Sequence, residues 1–449
     1  MARAKFETDF TKGKILLPLL SYAIPLMLSG MLQLFYNAAD VVVVGRFAGK
    51  ESLAAVGSTT ALINLLTNAF LGLSVGASVL VAKGFGSGDK ALINRGVHTA
   101  VTVAAIGGIL FGIIGFTFAK PILTLMGSPE DVIGKSTLYM KIFFTGLPAM
   151  AVYDFGSAIL RAVGDTKRPL IFLIISGFVN IFLNLLFVIK FKMDVAGVAY
   201  ATVISQIMSA ALVIICLVKT ESSYKLILKN LKIHKKELLH IMRIGLPAGL
   251  QGTLFSFSNI LIQSSINSFG SVAMAGNSAG GNIEGFVYMA MNAVYHTSLT
   301  FCAQNLGVKN FGRIKKGIFC CLGLVTVIGV VFGSIAVIFS HDLMSIYSSD
   351  PEVIQIGMNR ISVICLTYFL CGIMDTLAGI LRGLSYSMLP MITTLIGACG
   401  FRILWINVMF NFNRSLFTLY MAYPFSWTIT LAALGISLII IFRKLKRTI

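Results

Sequence analysis

The stretch SAILRAVGDTKRP at 157–169 returns as AGILRGLSYSMLP at 378–390, an offset of 221 residues. Working outward, IPLMLSGML (24–32) finds its counterpart in LPAGLQGTL (246–254), and Ser128-Pro129-Glu130 in Asp350-Pro351-Glu352, both at 222. A register that holds across nearly half a chain of 449 residues is an internal duplication. Apolar runs of about 20 residues fill the intervals, the length that crosses a hydrocarbon layer about 30 Å thick at 1.5 Å per residue. We count twelve runs, centred near Met27, Phe70, Ile109, Ala149, Leu173, Val203, Asn259, Met291, Thr326, Leu366, Leu395 and Leu431. The weakest, 274–305, carries Asn277, Asn282, Glu284, Asn292 and His296, and such a span needs its polar side turned to other helices or a water-filled cavity.

Six spans per repeat give both halves the same orientation. The predicted fold is an all-α polytopic membrane protein with twelve transmembrane helices in two pseudo-symmetric six-helix bundles. The expected division is an N-lobe over 1–218, a linker over 219–237 and a C-lobe over 238–449. The Lys-rich stretch from Lys219 to Arg243 is expected to form a surface amphipathic helix. The N-terminal apolar run continues past Asp40 without a small-residue cleavage pattern, so it reads as the first span and not as a signal peptide.

Composition agrees with a membrane reading. Charged residues make up 12% of the chain, about half the usual share, while the AVILMFWYC set reaches 57%. The 36 Lys and Arg against 17 Asp and Glu would suggest nucleic acid in a soluble chain. Here 26 of the 36 fall on loops of one side, which excludes a nucleic-acid partner and, by the positive-inside rule, puts both termini in the cytoplasm. None of the seven cysteines has CxxC or metal spacing, the five histidines form no catalytic set, and GxxxxGK[ST] is absent, so no cofactor is expected.

Four acids fall well inside spans: Asp40, Asp154, Glu284 and Asp375. Each is costly in hydrocarbon and is therefore a candidate site. Gln33, Tyr36 and Asp40, spaced i, i+3, i+7, share one face of the first helix. A buried carboxylate there can hold a proton or, with oxygen neighbours, coordinate Na⁺. Asp154 and Asp375 occupy equivalent positions, each seven residues before an arginine, Arg161 or Arg382. Glu284, Tyr288 and Met291 at i, i+4, i+7 line up acid, ring and thioether, an expected seat for an organic cation. Asn180 and Asn184 on the fifth span and Thr202 on the sixth read, by spacing alone, as interhelical glue.

Taken together, several motifs are specific. They are Tyr36, Asp40 and Gly45-Arg46; Ala54-Ala55-Val56-Gly57; Ile159-Leu160-Arg161-Ala162-Val163-Gly164-Asp165; Asn180 and Asn184; and Val195-Ala196-Gly197-Val198-Ala199 leading into Ala201-Thr202-Val203-Ile204-Ser205-Gln206. Across essentially its whole length the chain resembles the bacterial branch of the multidrug and toxic compound extrusion (MATE) transporters. The resemblance implies an exporter that exchanges H⁺ or Na⁺ for amphipathic, often cationic organic compounds by alternating access. It implies a coupling-cation site at Asp40, Asn180, Asn184 and Thr202, lined by Gln33 and Tyr36. Position 184 departs from relatives with a second Asp there, which leaves Asp40 as the ionisable group of the site. Where some relatives carry an acid after the proline matching Pro247, this chain reads Phe255-Ser256-Phe257, so a C-lobe acid must be Glu284 or Asp375.

The substrate cavity is accordingly expected to involve Gln33, Tyr36, Glu284, Tyr288, Met291 and Asp375. The protein is expected to act as a monomer among membrane lipids in a bacterial inner (plasma) membrane, and not as an enzyme, since no catalytic cluster is visible. A flippase for a lipid-linked sugar is the alternative of the same architecture. It would need several mid-span basic residues, and Arg360 and Arg402 are the main candidates. A channel is the alternative from another class, and its currents would persist without ion-coupled exchange.

Overall fold

The structure, a computed structural model, describes residues 6–126, 128 and 130–447; Arg3, Lys5 and Pro129 of the sequence reading lie outside the described residues. The first repeat contributes α1 (Leu16–Val43), α2 (Lys50–Ser87), α3 (Lys90–Leu125), α4 (Glu130–Ala162), α5 (Lys167–Asn184) and α6 (Asp194–Lys219). The second contributes α7 (Lys235–Asn267), α8 (Ser271–Gly307), α9 (Phe311–Ile338), the short α10 (Ser340–Ser345) and α11 (Pro351–Gly383). A further rod follows, built from α12 (Met388–Thr394), a π-helical segment Leu395–Gly400, α13 (Phe401–Trp405) and a second π-helical segment Ile406–Phe410; α14 (Leu416–Arg447) closes the chain. Ten of these rods are long and apolar enough to cross a membrane by length and composition. The polar α7 and α8, 33 and 37 residues long, complete the twelve spans.

The duplication persists in local chemistry. Asp89 caps α3 by accepting from the Leu92 N–H, and Asn310, 221 residues on, caps α9 by accepting from the Arg313 N–H. Packing repeats too. A Cβ on Gly108 of α3 would lie 2.5 Å from Pro148 Cα of α4, and one on Gly112 would lie 2.9 Å from the Phe144 carbonyl oxygen. In the second half, a Cβ on Gly329 of α9 would lie 2.8 Å from Phe369 Cα, and one on Gly333 would lie 2.3 Å from the Cys365 carbonyl oxygen of α11. All four pairs obey the 221 offset. Only glycine allows helices this close, and close approach replaces the hydrophobic drive that lipid removes.

The chain forms two compact units: Met1–Thr8 with Leu32–Leu246, and Asp9–Met31 with Pro247–Ile449. This division differs from the expected one at the linker, because α1 and α7 each change unit partway along. Side chains explain the exchange. Phe10, Leu19 and Tyr22 belong to the core of the second unit, with the Phe10 ring 5.3 Å from Tyr22 and 5.6 Å from Phe301. The Phe10 N–H donates to Gln304 Oε1 at 2.9 Å, and Arg313 donates to the carbonyls of Phe10, Lys12 and Gly13.

The linker is not the amphipathic helix that its lysines suggest. Between α6 and α7 it holds a single 3₁₀ turn, Leu228–Asn230, and buries Tyr224 and Leu226. Its backbone is tied to the first unit by side chains: the Ile227 N–H donates to His98 Nε2 at 3.1 Å, and the His234 N–H to Thr99 Oγ1 at 3.1 Å. Arg168 adds a bond from Nη2 to the Tyr224 hydroxyl at 2.9 Å.

Candidate cation site and the buried network of the second unit

In the first unit α1 presents Gln33, Tyr36 and Asp40, and α5 answers with Gly177, Asn180 and Asn184 at the same i, i+3, i+7 spacing. The Tyr36 ring lies where a Gly177 side chain would be: a Cβ there would sit 1.9 Å from Tyr36 Cζ. One helical turn and then another along the same faces, Asn184 Nδ2 donates to Asp40 Oδ1 at 2.5 Å and to Asn180 Oδ1 at 3.2 Å. Asn180 and Asn184 are buried.

Charge and donors do not balance around this carboxylate. No ion pair reaches Asp40 among the described residues. Asn184 Oδ1 is buried without a hydrogen-bond partner; so is Thr202 Oγ1 on α6, which no hydrogen bond ties to Asp40, Asn180 or Asn184. The Tyr139 hydroxyl of α4 lies within electrostatic reach of Asp40. Carboxylate, amide and hydroxyl oxygens are the donor set of a hard monovalent cation, and a lone carboxylate in such surroundings is equally a proton acceptor. The structure thus brings Asn184 into contact with both Asp40 and Asn180, and Tyr36 onto the same pair of helices. Gln33 is exposed on the α1 face. Gly177 and Tyr139 were missed by spacing arguments, because a glycine in a span reads as packing and a tyrosine as lining.

The expected cavity residues Glu284, Tyr288, Met291 and Asp375 lie in the second unit and split into three environments. Glu284 is not free: Arg360 of α11 donates from Nη2 to its Oε2 at 2.7 Å, and from Nη1 to Asn277 Oδ1 at 2.5 Å. Asn277 in turn donates to Gln263 Oε1 at 2.8 Å, and the Tyr420 and Tyr423 rings each sit 5.7 Å from the guanidinium. The cation beside Glu284 is thus a residue of this chain. Tyr288 donates through its hydroxyl to Asp375 Oδ2 at 3.3 Å and receives Asn292 Nδ2 at 3.4 Å. Met291 packs in a groove of glycines, its Sδ 2.6 Å from where a Cβ on Gly372 would be and 2.9 Å from that of Gly329. Asp154, the repeat partner of Asp375, keeps Oδ2 buried without a hydrogen bond.

Comparison with known proteins agrees with this architecture. The MatE family profile matches twice, at residues 25–186 and 247–408, in two windows 222 residues apart. The chain is similar to the probable multidrug resistance protein YoeA of Bacillus subtilis, with 28% identity over 429 residues covering 94% of this chain and 91% of that one. It is also similar to the probable multidrug resistance protein NorM of Thermotoga maritima, with 26% identity over 388 residues covering 84% and 82%. Multidrug export protein MepA of Staphylococcus aureus shares 22% over 377 residues, covering 83% and 82%. Among solved structures, an outward-facing multidrug resistance MATE family transporter of the MOP superfamily superposes with a TM-score of 0.93 over 100% of both chains, at 18% identity. Twelve spans, a duplicated register and two profile matches that together cover most of the sequence place the chain in the MatE family of multi-pass membrane transporters.

Proposed function

We propose that the protein is a cation-coupled antiporter of a bacterial plasma membrane. In this reading it exports amphipathic, often cationic organic compounds in exchange for H⁺ or Na⁺ by alternating access, acts as a monomer, and keeps both termini in the cytoplasm. The carrying observation is Asp40: a mid-span carboxylate with no ion pair among the described residues, held by Asn184, whose own Oδ1 is buried without a hydrogen-bond partner. Taking up one cation there neutralises the carboxylate and relieves the Asn184 contact. That is a differential interaction able to bias two states of the first unit. A membrane potential supplies about 2.3 kcal/mol per charge per 100 mV, enough to drive a modest concentration gradient with one ion. The multidrug relatives support the substrate class, and the 26 basic residues on one set of loops support the orientation.

The test is transport of a cationic dye by inverted vesicles under separately imposed Na⁺ and pH gradients, with wild type beside Asp40→Asn. Wild type is expected to respond to one of the gradients, which identifies the ion, and Asp40→Asn to neither. Gradient-driven transport that survives unchanged in Asp40→Asn would sink the coupling role.

A further inference from the structure

Arg402, a cation of the second unit, has no ion pair among the described residues. Arg402 sits on the five-residue α13 between the two π-helical segments, and its side chain is wholly buried. A guanidinium stays protonated in a protein, so the positive charge is permanent. Its Nε donates to Ser426 Oγ at 3.1 Å and its Nη1 to Asn259 Oδ1 at 2.9 Å, both neutral acceptors. The Tyr423 and Phe255 rings lie 4.4 and 4.9 Å from Cζ. Nη2 has no hydrogen-bond partner, and no acid forms an ion pair with Arg402 among the described residues.

The other buried arginines of the unit are accounted for. Arg360 has Glu284; Arg382 also forms no ion pair among the described residues, but both of its Nη atoms are used, Nη1 donating to the Tyr295 hydroxyl and Nη2 to Gln251 Oε1, each at 2.6 Å, and it lies in the last turn of α11, where the carbonyl end of the helix favours a cation. Burying a charge without an opposite charge is costly, and aromatic faces recover only part of that cost. The position is informative as well. At the 222 offset of the two profile matches, Arg402 corresponds to Asn180, and Phe255 and Asn259 on α7 correspond to Gln33 and Asn37 on α1. The π-helical segment at 395–400 absorbs the extra residue by which the offset grows from 221 at Pro169 and Pro390, and π-bulges of this kind cluster at functional sites. The site that carries a bare carboxylate in the first repeat therefore carries a bare guanidinium in the second.

We propose that Arg402 is an anion-recognition site, receiving a carboxylate or phosphate group of the transported compound on its Nη2 once Phe255 and Tyr423 move off the guanidinium. The proposal rests on the export reading and extends its cargo to compounds bearing an acidic group, alone or beside a cationic one. The planar fork suits both anions, which accept two parallel N–H bonds.

The chain supplies its own reporter, because both tryptophans lie in this region: Trp405 three residues from Arg402, and Trp427 with its ring 5.7 Å from that of Tyr423. Tryptophan emission of the purified full-length protein, titrated at constant ionic strength with benzoate, phenyl phosphate and neutral benzyl alcohol, tests the site. We expect a saturable change with one or both anions, and their relative strengths separate carboxylate from phosphate recognition. Benzyl alcohol should give none. Affinity for the anions should fall about 10- to 100-fold in Arg402→Gln, and less in Arg402→Lys, which keeps the charge without the fork. An equal response to benzyl alcohol, no saturable response in wild type, or unchanged anion affinity in Arg402→Gln overturns the proposal. If Arg402→Gln does not fold, Arg402→Lys and the wild-type contrast of benzoate with methyl benzoate decide it in the same way. Because the readout is binding, the result stands apart from whether Asp40→Asn loses gradient-driven transport.

Discussion

Asn184 offers one amide to two acceptors, and only one of them is a carboxylate that can be neutralised. Replacing it with alanine removes a charge-assisted bond worth about 1.5–3 kcal/mol. The expected outcome is an order-of-magnitude shift in the coupling-ion concentration that gives half-maximal dye transport, with the protein still folded. The Glu284–Arg360 pair is expected to behave differently, as a structural unit. Arg360→Met alone leaves a buried carboxylate unpaired and should cost about 3–5 kcal/mol. The double variant Arg360→Met with Glu284→Leu should recover most of that, read as thermal unfolding in detergent. Spacing along one helix made the Gln33, Tyr36, Asp40 face and the Asn180, Asn184 ladder legible in the sequence, because i, i+3 and i+7 relations are fixed by helix geometry. It could not show that Glu284 is spoken for. Its partner is 76 residues away on another helix, beyond the reach of any spacing argument.

At the scale of elements, the register of the duplication carried the helix order and foretold which helices repeat each other's contacts. The glycine grooves of α3 with α4 and of α9 with α11 could have been found by aligning glycines at 221. The face between α1 and α5 is tighter still. Gly177→Ala should cost about 1–3 kcal/mol by driving the Tyr36 ring from its place, and the penalty should vanish in a Tyr36→Ala background when unfolding temperatures are compared. The linker misled, because alternating lysines and apolar residues fit an amphipathic helix as well as they fit an extended strap. What decides is where its backbone N–H groups go, and His98 and Thr99, more than a hundred residues earlier, take two of them. His98→Ala leaves the Ile227 N–H without its acceptor. Tryptic cleavage at Lys225, Lys229 and Lys232 in the folded protein should then accelerate, up to about a hundredfold for a loss of about 1–3 kcal/mol. Unchanged cleavage would mean that Tyr224 and Leu226 alone hold the strap.

For the whole molecule, residues 9–31 belong to the core of the second unit although they open the chain. A fragment spanning 238–449 lacks Phe10, Leu19 and Tyr22 and leaves Gln304 and Thr300 without the groups they bond. It should fail to give a monodisperse species in detergent when expressed alone, and should do so when co-expressed with 1–237. The exchange also sets an order of events on the ribosome. Met31 precedes Pro247 by 216 residues, which at about 5–20 residues per second takes roughly 10–40 s to synthesise. Throughout that interval the start of α1 has been made but its neighbours have not. The N-terminal bundle therefore matures with one end of α1 still waiting, so the bundle synthesised later is closed by a helix made well before it.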